Sequence, residues 1–231
     1  MPDYISTVIS LYCQNIVIPT SIFLLHEGIK TQSLNIMNRQ LFFQEINRSL
    51  FNGKLNYRQR EGILHKLAAF AKFEVTVDNW CAYMLATSYH ETAHTMQPIE
   101  EWGKGMGKSY GKKIKQNGQP YTWPDKIYYG RGDVQLTWYE NYERMGDLMG
   151  LPLLEQPELA LDPEISAQIL VEGMILGKSN RGDFTGFSLD NFFNPQRDDP
   201  FAARRIINGL DSAHTIAGYH YKFLEAIRKA S

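Results

Sequence analysis

Across residues 37–231 the apolar positions return mostly every third or fourth residue, the period of helices that bury one face. In NRQLFFQEINRSLF, Leu41, Phe42, Ile46, Leu50 and Phe51 follow that spacing, and Asn52-Gly53 marks a stop. Asn56 is placed to cap a second helix, YRQREGILHKLAAFAKF, with Ile63, Leu67 and Phe70 in one stripe and His65 at its edge. Asp78 is placed to cap a third, NWCAYMLATSYHETAHTM, which is apolar on most sides and so belongs at the centre. Thr137 and Glu140 have the spacing of a capping box for a helix that ends near Gly150. Asp162-Pro163 opens another helix, to about Gly177. SLDNFF predicts a short helix, and Asp199-Pro200 repeats the opening signal for FAARRIIN, which Gly209 closes. A last helix is predicted from about Ser212 to Ala230.

Two stretches break the period. Over residues 98–127, Gly103, Gly105, Gly107 and Gly111 alternate with Lys104, Lys108, Lys112, Lys113 and Lys115, which predicts a long polar surface loop. In IYYGRGDVQLTW, Gly130 and Gly132 bracket Arg131; tight turns are expected, then a short strand over DVQLT. Arg-Gly-Asp occurs at 131–133 and 181–183, but three letters are too few to signal adhesion.

Residues 1–36 read differently. Positions 4–25 carry no charge, and IVIPTSIFLL is strongly apolar. Yet no Lys or Arg precedes the run, Pro19 and several polar residues dilute it, and no small-residue cleavage site follows. It is taken as an N-terminal extension, disordered or weakly targeting, ahead of a single domain over residues 37–231.

Composition narrows the classes. A net charge of −1 argues against a general grip on nucleic acid or an anionic membrane. The cysteines are Cys13 and Cys81, too few for a disulfide framework or a thiolate metal site. Aromatics are plentiful, which serves a core or a sugar groove equally.

The chemistry concentrates in YMLATSYHETAHTMQPIEE, residues 83–101. His90-Glu91-x-x-His94 has the spacing of a zinc peptidase, two imidazoles on one helical face with Glu91 as base. A third protein ligand is not evident; the next histidine is His214. Alternatively, Glu91 at the end of an apolar helix is a carboxylic acid whose charged form desolvation disfavours. Pro98 would interrupt the helix and let Glu100 or Glu101 face Glu91 across a substrate, as two-carboxylate glycosidases require.

HETAHTMQPIEE, then YYGRGDVQLTWYENY, then ARRIINGLD, in that order, resemble glycoside hydrolase family 19, shared by chitinases and phage or bacterial endolysins. The resemblance implies a mainly α, lysozyme-like α+β fold: two helical lobes around a cleft, with at most a small β-hairpin. It implies an inverting mechanism with Glu91 as general acid, Glu100 as general base and Glu101 as the alternative base, and Thr137 holding the attacking water. Gln135, Asn141 and Asn208 match sugar-contacting positions; His90 would orient the site, Tyr129 support the groove and Trp123 stack on a sugar. No metal or other cofactor is implied. The expected partner is an N-acetylated amino-sugar polymer, peptidoglycan ahead of chitin because of the compact form and Lys-rich loop, with no nucleic acid or stable membrane partner. A monomer is expected, made in the cytoplasm and acting at the cell wall or outside the cell after release.

Overall fold

The computed structural model describes residues 37–231; the reading of residues 1–36, Cys13 included, lies outside them. The fold is mainly α. Six α-helices carry the described residues: α1 (Arg39–Ser49), α2 (Tyr57–Lys72), α3 (Asp78–Glu91), α4 (Tyr139–Met149), α5 (Pro163–Met174) and α6 (Ala213–Ala230). Two antiparallel pairs of two-residue strands complete it, where one hairpin at most was expected. β1 (Ile99–Glu100) pairs with β2 (Arg131–Gly132) across a long connection, and β3 (Phe193–Asn194) pairs with β4 (Arg197–Asp198) as a hairpin.

Local signals set most helix starts. The Asn38 side chain accepts from the Leu41 N–H, Asn56 and Gln59 make a reciprocal capping box, and Asp162 Oδ1 accepts from the Glu164 and Ile165 N–H groups. Asp199 Oδ1 accepts from the Ala202 N–H as its capping role requires, but FAARRIIN winds only a 3-10 helix, Ala202–Ile206. SLDNFF gives a 3-10 turn, Leu189–Asn191.

α3 is the centre, as its all-round apolar sequence predicts. Every residue from Cys81 to Tyr89 is buried, and the helix packs chiefly along α6, which also receives α1. Burying each large side chain there contributes about 1.5–3 kcal/mol. The Cys81 thiol is a packed core atom whose pKa burial pushes far up.

Three local expectations fail. Asp78 is the first residue of α3, with Val77 at the cap position. The capping box at Thr137 does not form: α4 is entered through Trp138 at φ 73°, and Glu140 Oε1 instead accepts the Gln116 N–H at 2.8 Å. DVQLT is no strand. Arg131 and Leu136 bridge each other across a tight turn, with Gly132 at φ 86° and Gln135 at φ 49°. A side chain at Gly132 would meet Ala160 O at 2.7 Å, so the turn needs glycine for space as well as for φ.

That turn is anchored from inside. Asp133 is fully buried and lies 2.8 Å from Lys66 Nζ, itself 1% exposed. The Ser88 and Ser166 hydroxyls each donate to the Asp133 carboxylate at 2.8 Å. Lys66 also donates to Gly62 O and Met96 O, both at 3.1 Å. One buried ion pair thus ties α2, α3 and α5 to the glycine turn, with nearly every polar atom of the pair partnered. It also explains the first Arg-Gly-Asp triplet as structure; in the second, Asp183 is buried separately and accepts from the Ser179 hydroxyl at 2.6 Å.

Candidate active site

α3 ends at Glu91, well before Pro98, so the proline is not what breaks it. Ala93, His94 and Met96 take left-handed φ values of 49°, 68° and 56°, and Thr92 Oγ1 holds the turn by donating to Ser88 O and accepting the Met96 N–H. This removes the geometry of the zinc pattern. His94 does not follow His90 up one helical face. It turns back to stack on Tyr89, ring centroids 4.2 Å apart, with Nε2 3.2 Å from the Tyr219 hydroxyl. Among the described residues no three His, Cys, Asp or Glu side chains gather as a metal set.

Glu91 lines a cleft of about 730 Å³ with Thr137, Gln135, Asn141 and Asn208, as the sequence blocks suggested. The Glu91 carboxylate itself departs from expectation. Instead of an apolar, unpartnered setting, it meets Arg204: Nη1 donates to Oε1 at 2.6 Å, and the two side chains are 4% and 13% exposed for Arg204 and Glu91. Arg204 is fixed in turn by its Nε–H on Asp211 O at 3.0 Å. No distance along the sequence announced this pair.

Glu100 and Glu101 lie on and beside strand β1, lining a second hollow of about 580 Å³. Gln135 lines both hollows and is the wall they share. Its amide is held by Nε2 donating to Ile99 O at 3.0 Å and Gly132 O at 3.3 Å.

The two glutamates differ in employment. Glu101 is structural: Tyr110 Oη–H donates to Oε1 at 2.7 Å and the Gly130 N–H to Oε2 at 3.0 Å. Glu100 is exposed at the strand edge. The Tyr129 hydroxyl donates to its Oε1 at 2.7 Å, and Lys104 Nζ lies 3.1 Å from Oε2. The Tyr129 hydrogen bond, the largest single cause, acts with Lys104 to hold its carboxyl below the usual range. Glu100 is the better candidate for a carboxylate that stays ionised yet reaches water. Tyr129 is itself clamped, its ring 3.6 Å from the Arg131 guanidinium carbon.

The remaining site residues scatter. His90 is half-buried and Trp123 is 66% exposed; neither lines either hollow. The sequence missed Arg204, Tyr110, Arg205 and the Phe184–Phe187 rim. The doubled arginine of ARRIIN was the available signal for the first, and GDFTGFS for the rim.

A cleft at the end of a buried helix, with a glutamate on the helix and another on a short strand, has the layout that two-carboxylate glycosidases require, on a mainly α, lysozyme-like fold. The family model described as chitinase class I, of glycoside hydrolase family 19, matches residues 45–206. The chain belongs to glycoside hydrolase family 19. It is similar to an endochitinase of Arabidopsis thaliana, 37% identical over 123 residues, 52% of this chain and 45% of that protein. It is also similar to chitinase 11 of Oryza sativa subsp. japonica, 22% identical over 79% of this chain and 81% of that protein. The chain spans less than half the length of the first curated relatives it matches. Among solved structures, chitinase C of Streptomyces griseus superposes with a TM-score of 0.55 at 23% identity, over 84% of this chain and 93% of that one. A class IV chitinase of Zea mays gives 0.51 at 23% identity, over 81% and 90%. At those identities the structures speak for the fold.

Proposed function

We propose that this chain is an inverting glycosidase that cleaves β-1,4 bonds between N-acetylated amino sugars, with chitin as its polymer. One observation carries the reading: Glu91, braced by Arg204, and Glu100, kept ionised by Tyr129 and Lys104, line adjoining hollows that share Gln135. Glu91, as the neutral carboxylic acid, protonates the leaving oxygen through the oxygen that Arg204 leaves free and becomes the carboxylate. Glu100 takes a proton from water, which attacks the anomeric carbon from the opposite face. Thr137 helps hold that water. Arg204 faces the carboxylate that proton donation leaves behind, so the developing charge meets a fixed cation.

Chitin is preferred to peptidoglycan for two reasons. The relatives are named for chitin, and the Lys-rich loop is less available to an anionic wall than its sequence suggests. Lys104 is paired with Glu100, Lys113 with Asp125, and Lys115 lies over the Tyr139 ring at 4.3 Å. One observation favours peptidoglycan as a second reading: Arg205, an exposed cation, lines the cleft. The protein is proposed to act as a monomer outside the cell.

Mass analysis of fragments from chitin and from purified peptidoglycan names the bond and the polymer. Anomer-resolved NMR of the first products tests inversion. Near-normal hydrolysis by Glu91→Gln would sink the assignment.

A further inference from the structure

The second hollow contains a feature that acid–base chemistry does not use. Trp102 lines it beside Glu100, Lys104 and Gln135, and its indole is 87% exposed. Trp123, the other strongly exposed tryptophan, lines neither hollow.

The Trp102 backbone is held on both sides. Glu101 before it is bound by Tyr110 and the Gly130 N–H, and its own N–H donates to Gly130 O at 2.7 Å. The Lys104 N–H closes a turn onto Glu101 O at 3.1 Å, and the Lys104 ammonium reaches Glu100. A large rigid aromatic surface is thus presented to solvent from an ordered turn, where burial would otherwise favour covering it.

We propose that Trp102 is the platform of an added sugar-binding subsite, taking the apolar C–H face of one N-acetylated pyranose of the same polymer chain. A pyranose suits the hollow on both counts: its flat C–H face covers the indole, and its equatorial hydroxyls meet the Lys104 ammonium beside it. The occupant is the same polymer because the hollow adjoins the Glu91 cleft through Gln135 and contains Glu100 itself. Its volume, about 580 Å³, falls within the roughly 300–1,000 Å³ of ligand clefts. Trp102 sets how tightly longer chains are held. This inference rests on the glycosidase reading above.

The test uses the full chain with Trp102→Ala, Trp102→Tyr and Met106→Ser. Met106 is a control: it is 86% exposed in the same loop but lines neither hollow. Binding of chitohexaose is measured by calorimetry in a Glu91→Gln background. Turnover of chitohexaose is measured without that substitution. Trp102→Ala should weaken hexaose binding about tenfold and raise KM more than it lowers kcat. Trp102→Tyr should restore most of the loss, and Met106→Ser should change nothing. A folded Trp102→Ala variant that binds hexaose as the parent does overturns the platform, while hexaose cleavage by the unsubstituted chain keeps the glycosidase reading. Trp102-dependent binding without any cleavage supports the platform and overturns that reading. Equal losses in Trp102→Ala and Met106→Ser would mean a general loop effect and also overturn the platform.

Discussion

Arg204 Nη1 stands 2.6 Å from Glu91 Oε1, a contact between residues 113 positions apart in which both partners are largely buried. The pair fixes one oxygen of the proposed acid and leaves the other for a proton. Removing the guanidinium strands a carboxylate at the end of the core helix. Breaking a buried pair by deleting one partner costs about 3–5 kcal/mol, so Arg204→Ala should lower the unfolding midpoint strongly. Arg204→Lys should not rescue it fully, because an ammonium cannot hold Glu91 and Asp211 O in the same fork. Glu91→Gln is the cleaner probe: it should retain the fold by circular dichroism and lose about 10²–10⁴-fold in kcat, the range of general acid catalysis.

Glu100 gives a pH prediction with a definite sign. The Tyr129 hydroxyl, the largest single influence, and Lys104 hold its carboxyl low, so the ionised base persists into more acidic solution. Tyr129→Phe removes that hydrogen bond and raises the Glu100 pKa. The acidic limb of the kcat/KM profile should therefore move to higher pH, and in the same direction in Lys104→Gln. Glu101→Gln should behave differently: it replaces one of the two oxygens that hold Tyr110 and the Gly130 N–H by an amide donor and should cost stability without shifting that limb.

What the sequence made legible was local. Asn56 and Asp162 cap the helices they precede because a cap needs only the next three residues. The three blocks of the cleft were likewise readable, and they do bring Glu91, Gln135, Thr137, Asn141 and Asn208 to one surface. The break after Glu91 was not, because three non-glycine residues adopt left-handed φ there without the usual Gly or Asn signal. Thr137 and Glu140 had the right spacing for a capping box, but Glu140 is taken by Gln116 from a distant loop. Arg204 and Lys66 were missed for one reason. Each charge is satisfied by a residue far along the chain, and periodicity carries no record of such a partner.

His220 on α6 predicts acid sensitivity independent of catalysis. It is fully buried, stacked near Phe193 and Tyr83, and both ring nitrogens lack partners. Burial, with a smaller push from Arg228, lowers its pKa from 6.5 to about 4. Above pH 6.5 the ring is neutral in both folded and unfolded chains and contributes no pH dependence. Between 6.5 and 4 the unfolded chain takes up the proton first, so stability falls as pH falls, by about 3 kcal/mol in all. Thermal melts across that window should show the slope. His220→Phe should flatten it, and an unchanged slope in that variant would assign the effect to other groups.

The Lys66–Asp133 pair makes the last prediction, because it holds the glycine turn from which Gln135 and Thr137 reach the cleft. Lys66→Met leaves Asp133 charged and buried with only the Ser88 and Ser166 hydroxyls, at a cost of about 3–5 kcal/mol. Asp133→Asn leaves the buried Lys66 ammonium with neutral acceptors and no counter-charge, with a similar loss. The double variant removes both charges, so its loss should be smaller than the sum of the singles; a double-mutant cycle by chemical denaturation reads that coupling directly. Activity separates stability from positioning. If the pair sets the turn, the double variant should remain folded at low temperature yet show reduced kcat, because Gln135 and Thr137 are no longer held at fixed places. Parental kcat in a folded double variant would confine the pair to stability alone.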